Sequence, residues 1–342
     1  MKAILFSKYG SPDVLQFTDV EKPTPDENQV LVKVIAASAN PLDWHRMRGQ
    51  PFLVRMGEGL RKPKNQKLGA DIAGRVDAVG KNVTEFKPGD EVFYAGAMNR
   101  PGTNSELHLV DERVVGHKPK TLTFSEAAAL PLTSIAAWEL LFERLAVPYG
   151  VKSQTGALLI INGAGGVGSI LTQMARRLTG LTIIATASRL ETEAWCRKMG
   201  ADHVINHHHP LDRGLKELGI DQVEYVAGLT ATDKHLPAIV EAITPHGRLA
   251  LIDDPHVFDI VSLKLKSVSV HWELMFTRTL YGTSDMIVQH ELLNEVAALV
   301  DAGVLRTTLT EDAGAINALN LKRVHASIES GRNIGKTVLS GF

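Results

Sequence analysis

A strongly apolar run that passes directly into a glycine-rich turn lies near the middle of this chain and constrains its fold more than any other feature. Residues 157–162 read Ala-Leu-Leu-Ile-Ile-Asn, and residues 163–168 follow with Gly-Ala-Gly-Gly-Val-Gly. The apolar run is typical of a buried parallel strand, and the pattern after the turn predicts a helix over Ser169–Leu178. A strand that turns on glycine into a helix predicts an α/β domain.

The glycines of this turn predict a dinucleotide site. We expect Gly163 to allow the tight turn, Gly165 to let the backbone approach a pyrophosphate, and Gly168 to let helix and strand pack closely. The helix start includes Gly166 and Val167. We expect its free N–H groups and the positive end of its dipole to bind the phosphates. The flanking strand and helix make this pattern much more specific than glycine spacing alone. The alternative is a glycine-rich turn in an ordinary α/β fold.

The segment before the turn has the pattern of a compact β-rich domain. Short strands separated by proline and glycine turns are expected at Ala3–Phe6, Gln29–Ala37, Ala73–Val79, Glu91–Tyr94 and Ser105–Val110. Ser125 is expected to cap a helix over Glu126–Leu130, and Pro131 begins a second helical stretch through Leu145.

After the turn, strands and helices alternate as in a doubly wound parallel sheet. Strands are expected at Thr182–Ala187, His203–Ile205, Val223–Val226, Arg248–Ile252 and Ser267–Val270, and helices at Glu191–Met199, Leu211–Leu218, Leu236–Ile243, Glu291–Ala302 and Gly314–Ser330. The chain then finishes with a short apolar strand, Gly335–Leu339. A strand must pair, so we expect it to join the β-rich N-terminal domain.

Composition excludes several classes of function. The formal net charge of −1 creates no global field that attracts nucleic acid or an anionic membrane. The single cysteine, Cys196, allows neither an internal disulfide nor a cysteine-rich zinc site, and we expect it to be packed rather than reactive. No apolar run reaches membrane-spanning length, and the first residues turn polar too soon for a signal peptide. We therefore expect a cytoplasmic protein that acts on a small molecule.

Several motifs occur in an order that resembles one known superfamily. They are Ala39–Asp43, Gly69–Gly74, Val79–Gly80, Phe86–Val92, Glu126–Pro131, the glycine turn and Gly200–Ile205. On these residues the chain resembles the medium-chain dehydrogenase/reductase superfamily over nearly its whole length, in the zinc-free quinone oxidoreductase-like branch. From Tyr94 onward, Arg100–Gly102 and Trp138–Phe142 make it most similar to proteins labelled zinc-type alcohol dehydrogenase-like.

The resemblance implies a fold of two domains. A GroES-like, β-rich catalytic domain is built from both chain ends, residues 1–125 and 271–342. A central Rossmann domain, residues 126–270, binds a nicotinamide cofactor. The family also implies a homodimer that joins Rossmann sheets edge to edge, with the strand Ser267–Val270 and the nearby Trp272 as the expected edge.

The resemblance also indicates which positions would bind a catalytic zinc ion in related proteins. Zinc-dependent relatives hold a catalytic zinc with a cysteine and a histidine–glutamate pair, and these positions here carry Asn40 and Ala70–Asp71. Alanine has no lone pair to donate, and Asp71 alone cannot make the open three-ligand site that polarises a carbonyl. We therefore expect no metal.

The end of the second Rossmann strand favours NADPH. An NAD-specific fold usually places an acidic residue there, whereas this chain has Ser188 and Arg189, which suit a 2′-phosphate. The alternative is that Ser188 caps the next helix while Arg189 points to solvent. His207, where many relatives have a tyrosine near the adenosine, and Lys336 in the last strand are further expected cofactor contacts.

Without metal, the chemistry depends on the hydride position and on a proton source. Asn40, His45 and Thr133 are the candidate donors to the reacting oxygen or the nicotinamide. His45 falls where related quinone reductases often carry a tyrosine, and its imidazole titrates near neutrality, but a loop histidine is the alternative. Three further residues are expected in the substrate pocket: Trp44, Phe276 and Arg278.

We thus predict an NADPH-dependent oxidoreductase that transfers hydride to a quinone or an α,β-unsaturated carbonyl (enone). Two alternatives stay open. One is a zinc-type alcohol dehydrogenase, and the other is a cofactor-binding protein with little turnover.

Overall fold

The structure is a computed structural model, and it describes residues 1–50, 66–153 and 155–342. Its contacts divide the chain into two units. The terminal unit comprises Met1–Leu132 and Phe276–Phe342, and the central unit comprises Thr133–Met275. The predicted limits of the central domain are 126 and 270, so the chain enters and leaves the central unit a few residues later than predicted.

The strands are, in chain order, β1 Lys2–Phe6, β2 Gln16–Asp19, β3 Gln29–Ser38, β4 Gln66–Lys67, β5 Asp71–Val79, β6 Glu91–Ala95, β7 Leu107–Asp111, β8 Gly116–His117, β9 Ala157–Ile161, β10 Thr182–Thr186, β11 His203–Ile205, β12 Val223–Gly228, β13 Ile243–Leu251, β14 Ser269–Trp272, β15 Leu309–Asp312 and β16 Lys336–Ser340. The α-helices are α1 Pro41–Arg48, α2 Phe124–Ala128, α3 Pro131–Trp138, α4 Gly166–Leu178, α5 Leu190–Met199, α6 Leu211–Glu217, α7 Thr232–Ala242, α8 Thr277–Tyr281, α9 Val288–Asp301 and α10 Ala318–Glu329. Helix α3 continues as a π-helix over Glu139–Arg144, and short 3-10 helices cover Pro12–Val14, Glu112–Val114 and Ile260–Lys266.

Six parallel strands form one sheet in the central unit, in the order β11-β10-β9-β12-β13-β14. This is the doubly wound order, with the strand before the glycine turn in the middle. All five residues of β9 are buried. Leu159 and Ile161, two apart and therefore on one face, share a core cluster with Ile239 of α7. The predicted doubly wound parallel sheet is confirmed.

Two sheets, mainly antiparallel, form the β-rich part of the terminal unit. One has the strand order β15-β16-β3-β5-β6-β8 with β7 also paired to β3, and the other has the order β2-β1-β4. The last strand, β16, pairs antiparallel with β3 and sets Val338 opposite Ser38. The predicted return of the C-terminal strand to the N-terminal β domain is therefore confirmed.

Residues 41–48 form helix α1, a helix that the sequence pattern does not predict. Asn40 is its N-cap and Pro41 its first residue, and the Asp43 carboxylate accepts the Asn40 N–H at 3.0 Å. Gly49 ends the helix with a φ of 75°. The helix depends on its caps rather than on an apolar stripe, which explains why periodicity does not reveal it.

Helix α2 begins two residues earlier than predicted. Thr123, rather than Ser125, is its N-cap, because the Thr123 hydroxyl accepts the Glu126 N–H and the Glu126 carboxylate accepts the Thr123 N–H. This reciprocal pair satisfies two N–H groups that a Ser125 cap would leave open. Within the described part of the chain, no helix is long and apolar enough to cross a membrane.

A buried histidine in the terminal unit couples folding to pH. His325 of α10 is 0% exposed, and among the described residues neither of its ring nitrogens has a hydrogen-bond partner. Burial lowers its pKa from 6.5 to about 4, and the charge of Glu329 opposes that shift only partly. The native state therefore holds this imidazole neutral where the unfolded chain would protonate it.

Replacing His325 with leucine is expected to make the protein less sensitive to acid. A group whose folded pKa is lowered contributes stability above its ordinary pKa and loses it as pH falls, here from 6.5 toward about 4. Between pH 7.5 and 5.0 the free energy of unfolding, measured in urea, should fall by about 2 kcal/mol less in His325→Leu than in the parent. The exposed His256 provides the control His256→Gln, which should behave as the parent does. Equal acid sensitivity of parent and His325→Leu would contradict the assignment.

Candidate functional site

The glycine turn follows β9 at the carboxyl edge of the central sheet, and close packing sets its shape. Asn162 has a φ of 66°, so the left-handed residue of the turn is an asparagine rather than a glycine. A Cβ on Gly168 would lie 2.3 Å from the Asn162 carbonyl oxygen, as its predicted packing role requires. A Cβ on Gly163 would lie 2.6 Å from the Ala185 Cβ. Gly163 is therefore needed for contact with β10 rather than for the turn.

The start of α4 fits an anionic group. A Cβ on Gly165 would lie 3.0 Å from Nδ2 of Asn162, so this residue too is sterically restricted. The Trp195 indole donates to the Ser169 hydroxyl at 2.8 Å, and that hydroxyl donates to the Gly165 carbonyl at 2.6 Å. The first turn of α4, all of it described, carries no acidic side chain. The positive end of the helix dipole is thus left for a pyrophosphate.

Thr186 and His207 connect the glycine turn to the ends of β10 and β11. The Thr186 hydroxyl oxygen accepts the Asn162 N–H at 2.9 Å and lies 3.1 Å from Nδ1 of His207. Burial lowers the pKa of His207, and the charges of the neighbouring His208 and His235 lower it further. The neutral ring that results can accept the Thr186 proton at Nδ1. His207 therefore lies on the same sheet edge as the glycines, as a cofactor contact must.

Arg189 follows β10 and is the N-cap of α5. Its backbone N–H donates to the Thr192 hydroxyl at 3.1 Å, and that hydroxyl donates back to the Arg189 carbonyl at 2.8 Å. Thr192 thus supplies the cap that Ser188 was predicted to supply. Nη1 of Arg189 lies 3.1 Å from a carboxylate oxygen of Glu191. The guanidinium therefore has an anionic partner, the carboxylate of Glu191.

A buried ammonium organises the candidate catalytic residues of the terminal unit. Lys336 of β16 is 4% exposed, and its Nζ donates to the carbonyl of Ala39 at 3.0 Å, to Oδ1 of Asn40 at 2.5 Å and to Oδ2 of Asp71 at 3.1 Å. All three protons of the ammonium are used by these oxygens. The structure thus reassigns Lys336 from the predicted cofactor contact to an internal cation.

Both the oxygen and the nitrogen of the Asn40 side-chain amide form hydrogen bonds. Oδ1 accepts from Lys336, and Nδ2 donates to Oδ2 of Asp71 at 2.9 Å. The residue is 1% exposed. The second N–H of Nδ2 is directed at the Ser38 carbonyl oxygen, with Nδ2 3.5 Å away. With both N–H groups directed at protein oxygens, the amide presents no donor to substrate, so we reassign Asn40 from a catalytic residue to a positioning residue.

Two buried carboxylates complete this cluster. Oδ1 of Asp71 accepts the N–H of Leu132, in the first turn of α3, at 2.6 Å. Asp43 accepts the N–H groups of Asn40 at 3.0 Å and of Gly69 at 2.9 Å, so this carboxylate has a structural role. Burial raises the pKa of Asp71, and the Lys336 charge and the hydrogen bonds oppose that shift. The cluster therefore joins β16, β5, α1 and the start of α3.

His45 and Trp44 lie on α1 with their rings stacked, the centroids 3.7 Å apart. Burial lowers the pKa of His45, and the charge of Glu329 partly opposes the shift. His45 is half-buried, as a group that exchanges protons with a bound molecule needs to be.

The three remaining predicted site residues, Thr133, Phe276 and Arg278, are largely buried. Thr133 in α3 is buried, as is Phe276, the first residue of the returning terminal segment. Arg278 of α8 donates through Nε to Asp285 at 3.0 Å and is 11% exposed at its side chain. Arg278 is therefore paired within the terminal unit, which limits its predicted role as a substrate-pocket residue.

The residues at the positions of zinc ligands do not fit zinc. Asn40 and Asp71 direct their oxygens at the Lys336 ammonium, and a divalent cation there would meet a fixed positive charge at hydrogen-bond distance. No thiolate is present, since Cys196 is buried in the central unit and burial raises its pKa to about 12. Among the described residues, no group of three or more His, Cys, Asp or Glu side chains is arranged to hold a metal.

A pair of buried glutamates in the central unit was missed by the sequence analysis. The side chain of Glu273, directly after β14, is 0% exposed, and that of Glu139, in the π-helix, is 2% exposed. Arg144 donates to Glu273 at 3.0 Å. Burial and then the charge of Glu139 raise the pKa of Glu273. With its pKa raised to about 9, the Glu273 carboxyl keeps a proton at neutral pH. No local pattern could have indicated this pair, because its members lie far apart in the sequence.

Comparison with known proteins places both units in one group of enzymes. Residues 26–137 match the alcohol dehydrogenase GroES-like domain, and residues 199–339 match zinc-binding dehydrogenases. The chain is 40% identical to a zinc-type alcohol dehydrogenase-like protein of Staphylococcus aureus over 348 residues, which cover 99% of this chain and 100% of that protein. A structure from Rhizobium etli, described as a zinc-dependent alcohol dehydrogenase protein, is 51% identical with a TM-score of 0.93 and covers 100% and 98% of the two chains.

Two further relatives carry more specific descriptions. The structure of a quinone oxidoreductase from Coxiella burnetii is 27% identical with a TM-score of 0.81, over 100% of this chain and 99% of that one. An NADPH-dependent alkenal/one oxidoreductase of Arabidopsis thaliana is 36% identical over 217 residues, which cover 60% of this chain and 52% of that protein. The GroES-like fold expected for the β-rich domain is confirmed.

Replacing Lys336 with methionine is expected to destabilise the protein by about 3–5 kcal/mol, because Asp71 would stay buried without its cation. The double variant Lys336→Met/Asp71→Asn removes both charges and should recover a large part of that loss. The measurement is urea unfolding at pH 7.5. Lys216→Met is the matched control, since it breaks an exposed pair with Asp212 and should cost less than about 1 kcal/mol. A Lys336→Met variant as stable as this control would contradict the cluster.

Proposed function

Because the chain belongs to the medium-chain dehydrogenase/reductase superfamily of oxidoreductases, we propose that it is a metal-independent, NADPH-dependent reductase of quinones or enones. The observation that carries this proposal is the Lys336 ammonium between Asn40 and Asp71. An alcohol dehydrogenase of the zinc type needs a Lewis acid at this point, and the ammonium takes up the oxygens that would hold one. Quinones and enones are electron-poor enough to accept hydride without such a metal.

The cofactor assignment depends on the central unit. The glycine turn and the first turn of α4 accept a pyrophosphate, and His207 lies at the same edge. Arg189 and Ser188 occupy the position after β10 where an acidic residue would select NADH. A guanidinium pairs with a 2′-phosphate through charge-assisted hydrogen bonds, so NADPH is favoured. The name of the Arabidopsis relative includes NADPH as its cofactor, which supports this assignment.

When bound, NADPH supplies the hydride. Hydride addition to the β-carbon of an enone moves an electron pair to the carbonyl oxygen, which then needs a hydrogen-bond donor, and the α-carbon needs a proton. We assign these donor roles to His45 of the terminal unit. Asn40 and Asp43 position α1, on which His45 lies, and the substrate lies beside Trp44 and Phe276. For a quinone, hydride transfer supplies both electrons and one hydrogen, and a single proton taken up at the remaining oxygen completes the reduction to the hydroquinone.

The substrate class is tested with the purified protein and NADPH against a panel of quinones, enones and alkenals, with alcohols and NADP⁺ in the reverse direction. We expect oxidation of NADPH by a quinone or an enone, no zinc by elemental analysis, and rates unaffected by a chelator. Stoichiometric zinc with alcohol oxidation would favour the zinc-type alcohol dehydrogenase. Tight binding of NADPH without consumption across the panel would favour a cofactor-binding protein.

We further propose a homodimer formed through the edge of the central sheet. The edge strand β14 and the preceding segment expose several apolar side chains, among them Leu265 at 98%, Val257 at 75% and Trp272 at 55%. Edge strands with exposed apolar residues tend to pair with another chain, and a second copy offers the same edge with two-fold symmetry.

The dimer is tested by light scattering, which should give twice the chain mass for the parent protein. The double variant Leu265→Glu/Trp272→Glu should give a monomer, because it places charge on the paired edge. A monomeric parent protein would overturn this assembly.

Replacing Arg189 with aspartate is expected to reverse the cofactor preference. The carboxylate repels a 2′-phosphate and can bind the ribose hydroxyl of NADH, so the Kd for NADPH should rise at least about tenfold while that for NADH stays level or falls. The measurement is titration of both cofactors. Arg213→Asp is the control, because Arg213 pairs with Glu217 on exposed helix α6 and carries the same change of charge. Unchanged selectivity in Arg189→Asp would remove Arg189 from the cofactor site.

A further inference from the structure

The guanidinium of Arg189 forms an ion pair with the carboxylate of Glu191. Nη1 lies 3.1 Å from Oε1 of Glu191, and the two side chains are 31% and 57% exposed. Glu191 lies in the first turn of α5, where the helix dipole favours a carboxylate. The backbone of Arg189 is fixed by the reciprocal bonds with Thr192, so its side chain extends from a fixed point.

We propose that Glu191 sets the strength of the cofactor preference, by competing with the 2′-phosphate of NADPH for the guanidinium of Arg189. The inference rests on the proposed function, because it takes NADPH as the cofactor. A 2′-phosphate that reaches Arg189 must displace the carboxylate or share the guanidinium with it. In either case two anionic groups lie within a few ångströms of each other and repel. NADH carries a hydroxyl at this position and meets no such repulsion.

The neighbourhood of Arg189 is consistent with a surface that receives a ligand. Leu190, between the two charged residues in sequence, is 85% exposed, so an apolar side chain near Arg189 is open to a ligand. An exposed ion pair contributes little to stability, about 0–1 kcal/mol. Glu191 can therefore be displaced by a strongly charged phosphate, yet its cost to binding stays measurable.

The same helix offers a matched control. Glu193 lies two residues after Glu191 in α5, one helical turn after Arg189. Its carboxylate pairs with Arg197 at 2.9 Å. Its side chain is 43% exposed, similar to that of Glu191. Glu193→Gln therefore removes the same charge from the same helix turn without changing the partner of Arg189.

The experiment measures the Kd of NADPH and NADH by calorimetric titration for the parent, Glu191→Gln, Glu193→Gln, Arg189→Gln and Arg189→Gln/Glu191→Gln. We expect Glu191→Gln to tighten NADPH binding about two- to fivefold and to leave the Kd of NADH within twofold. Glu193→Gln should match the parent. In the Arg189→Gln background the added Glu191→Gln change should have a smaller effect, because the shared partner is gone. The gain should also shrink as salt rises, since both groups are exposed.

The outcomes separate this inference from the function on which it rests. If Arg189→Gln weakens NADPH while Glu191→Gln leaves it unchanged, or changes it no more than Glu193→Gln does, then Glu191 has no role in selection and the inference is overturned. If the parent binds NADPH no better than NADH and Arg189→Gln changes neither, then the cofactor assignment has failed, and the inference fails with it.

Discussion

The terminal unit depends on the buried ammonium of Lys336. It connects the last strand of the chain to the loop that follows β3 and to the first residue of β5, and through Asp71 to the first turn of α3. Burying a carboxylate and an ammonium costs several kcal/mol for each ion, so such a pair is maintained only with good geometry and further hydrogen bonds. Here each charged group has these further bonds. The cluster thus fixes where β16 lies and, with it, the start of the candidate catalytic helix α1.

The same cluster changes the chemical roles that can be assigned to its residues. In sequence, Asn40 is a polar residue in a motif of a reductase family, and its amide suggests a contact with substrate. In the structure both ends of that amide are engaged by neighbours within the terminal unit. Under the proposed function donor chemistry falls to His45, while Asn40 and Lys336 supply position and charge. An ammonium that holds two side-chain oxygens in place also explains why the name "zinc-type", given to relatives, does not by itself assign zinc to this chain.

The features that could be predicted from sequence are those with a local signal. The apolar run before the glycines predicts β9, the glycine turn predicts the start of α4, and the apolar ending predicts β16. Helix α1 lacks an apolar stripe and depends on the Asn40 and Asp43 caps, so periodicity does not find it. The partners of Lys336 lie 296 and 265 residues away in sequence, at Asn40 and Asp71. Contacts of this separation leave no periodic pattern, so only the three-dimensional structure assigns Lys336 its role.

The two units accommodate their buried carboxylates with different partners. In the terminal unit the Asp71 carboxylate is neutralised by a cation, whereas in the central unit Glu273 meets Glu139 and a single arginine, Arg144. The carboxyl pair therefore keeps a proton that the unfolded chain would release above its ordinary pKa, so this pair costs stability as pH rises. His325 acts with the opposite sign, because it stays neutral where the unfolded chain takes up a proton and so costs stability as pH falls. Neither buried acid could simply be exchanged for an apolar residue, since each fixes a partner: Glu273 holds Arg144, and Asp71 holds Lys336, Asn40 and α3. The buried charges therefore hold these partners in position rather than add to the stability of the fold.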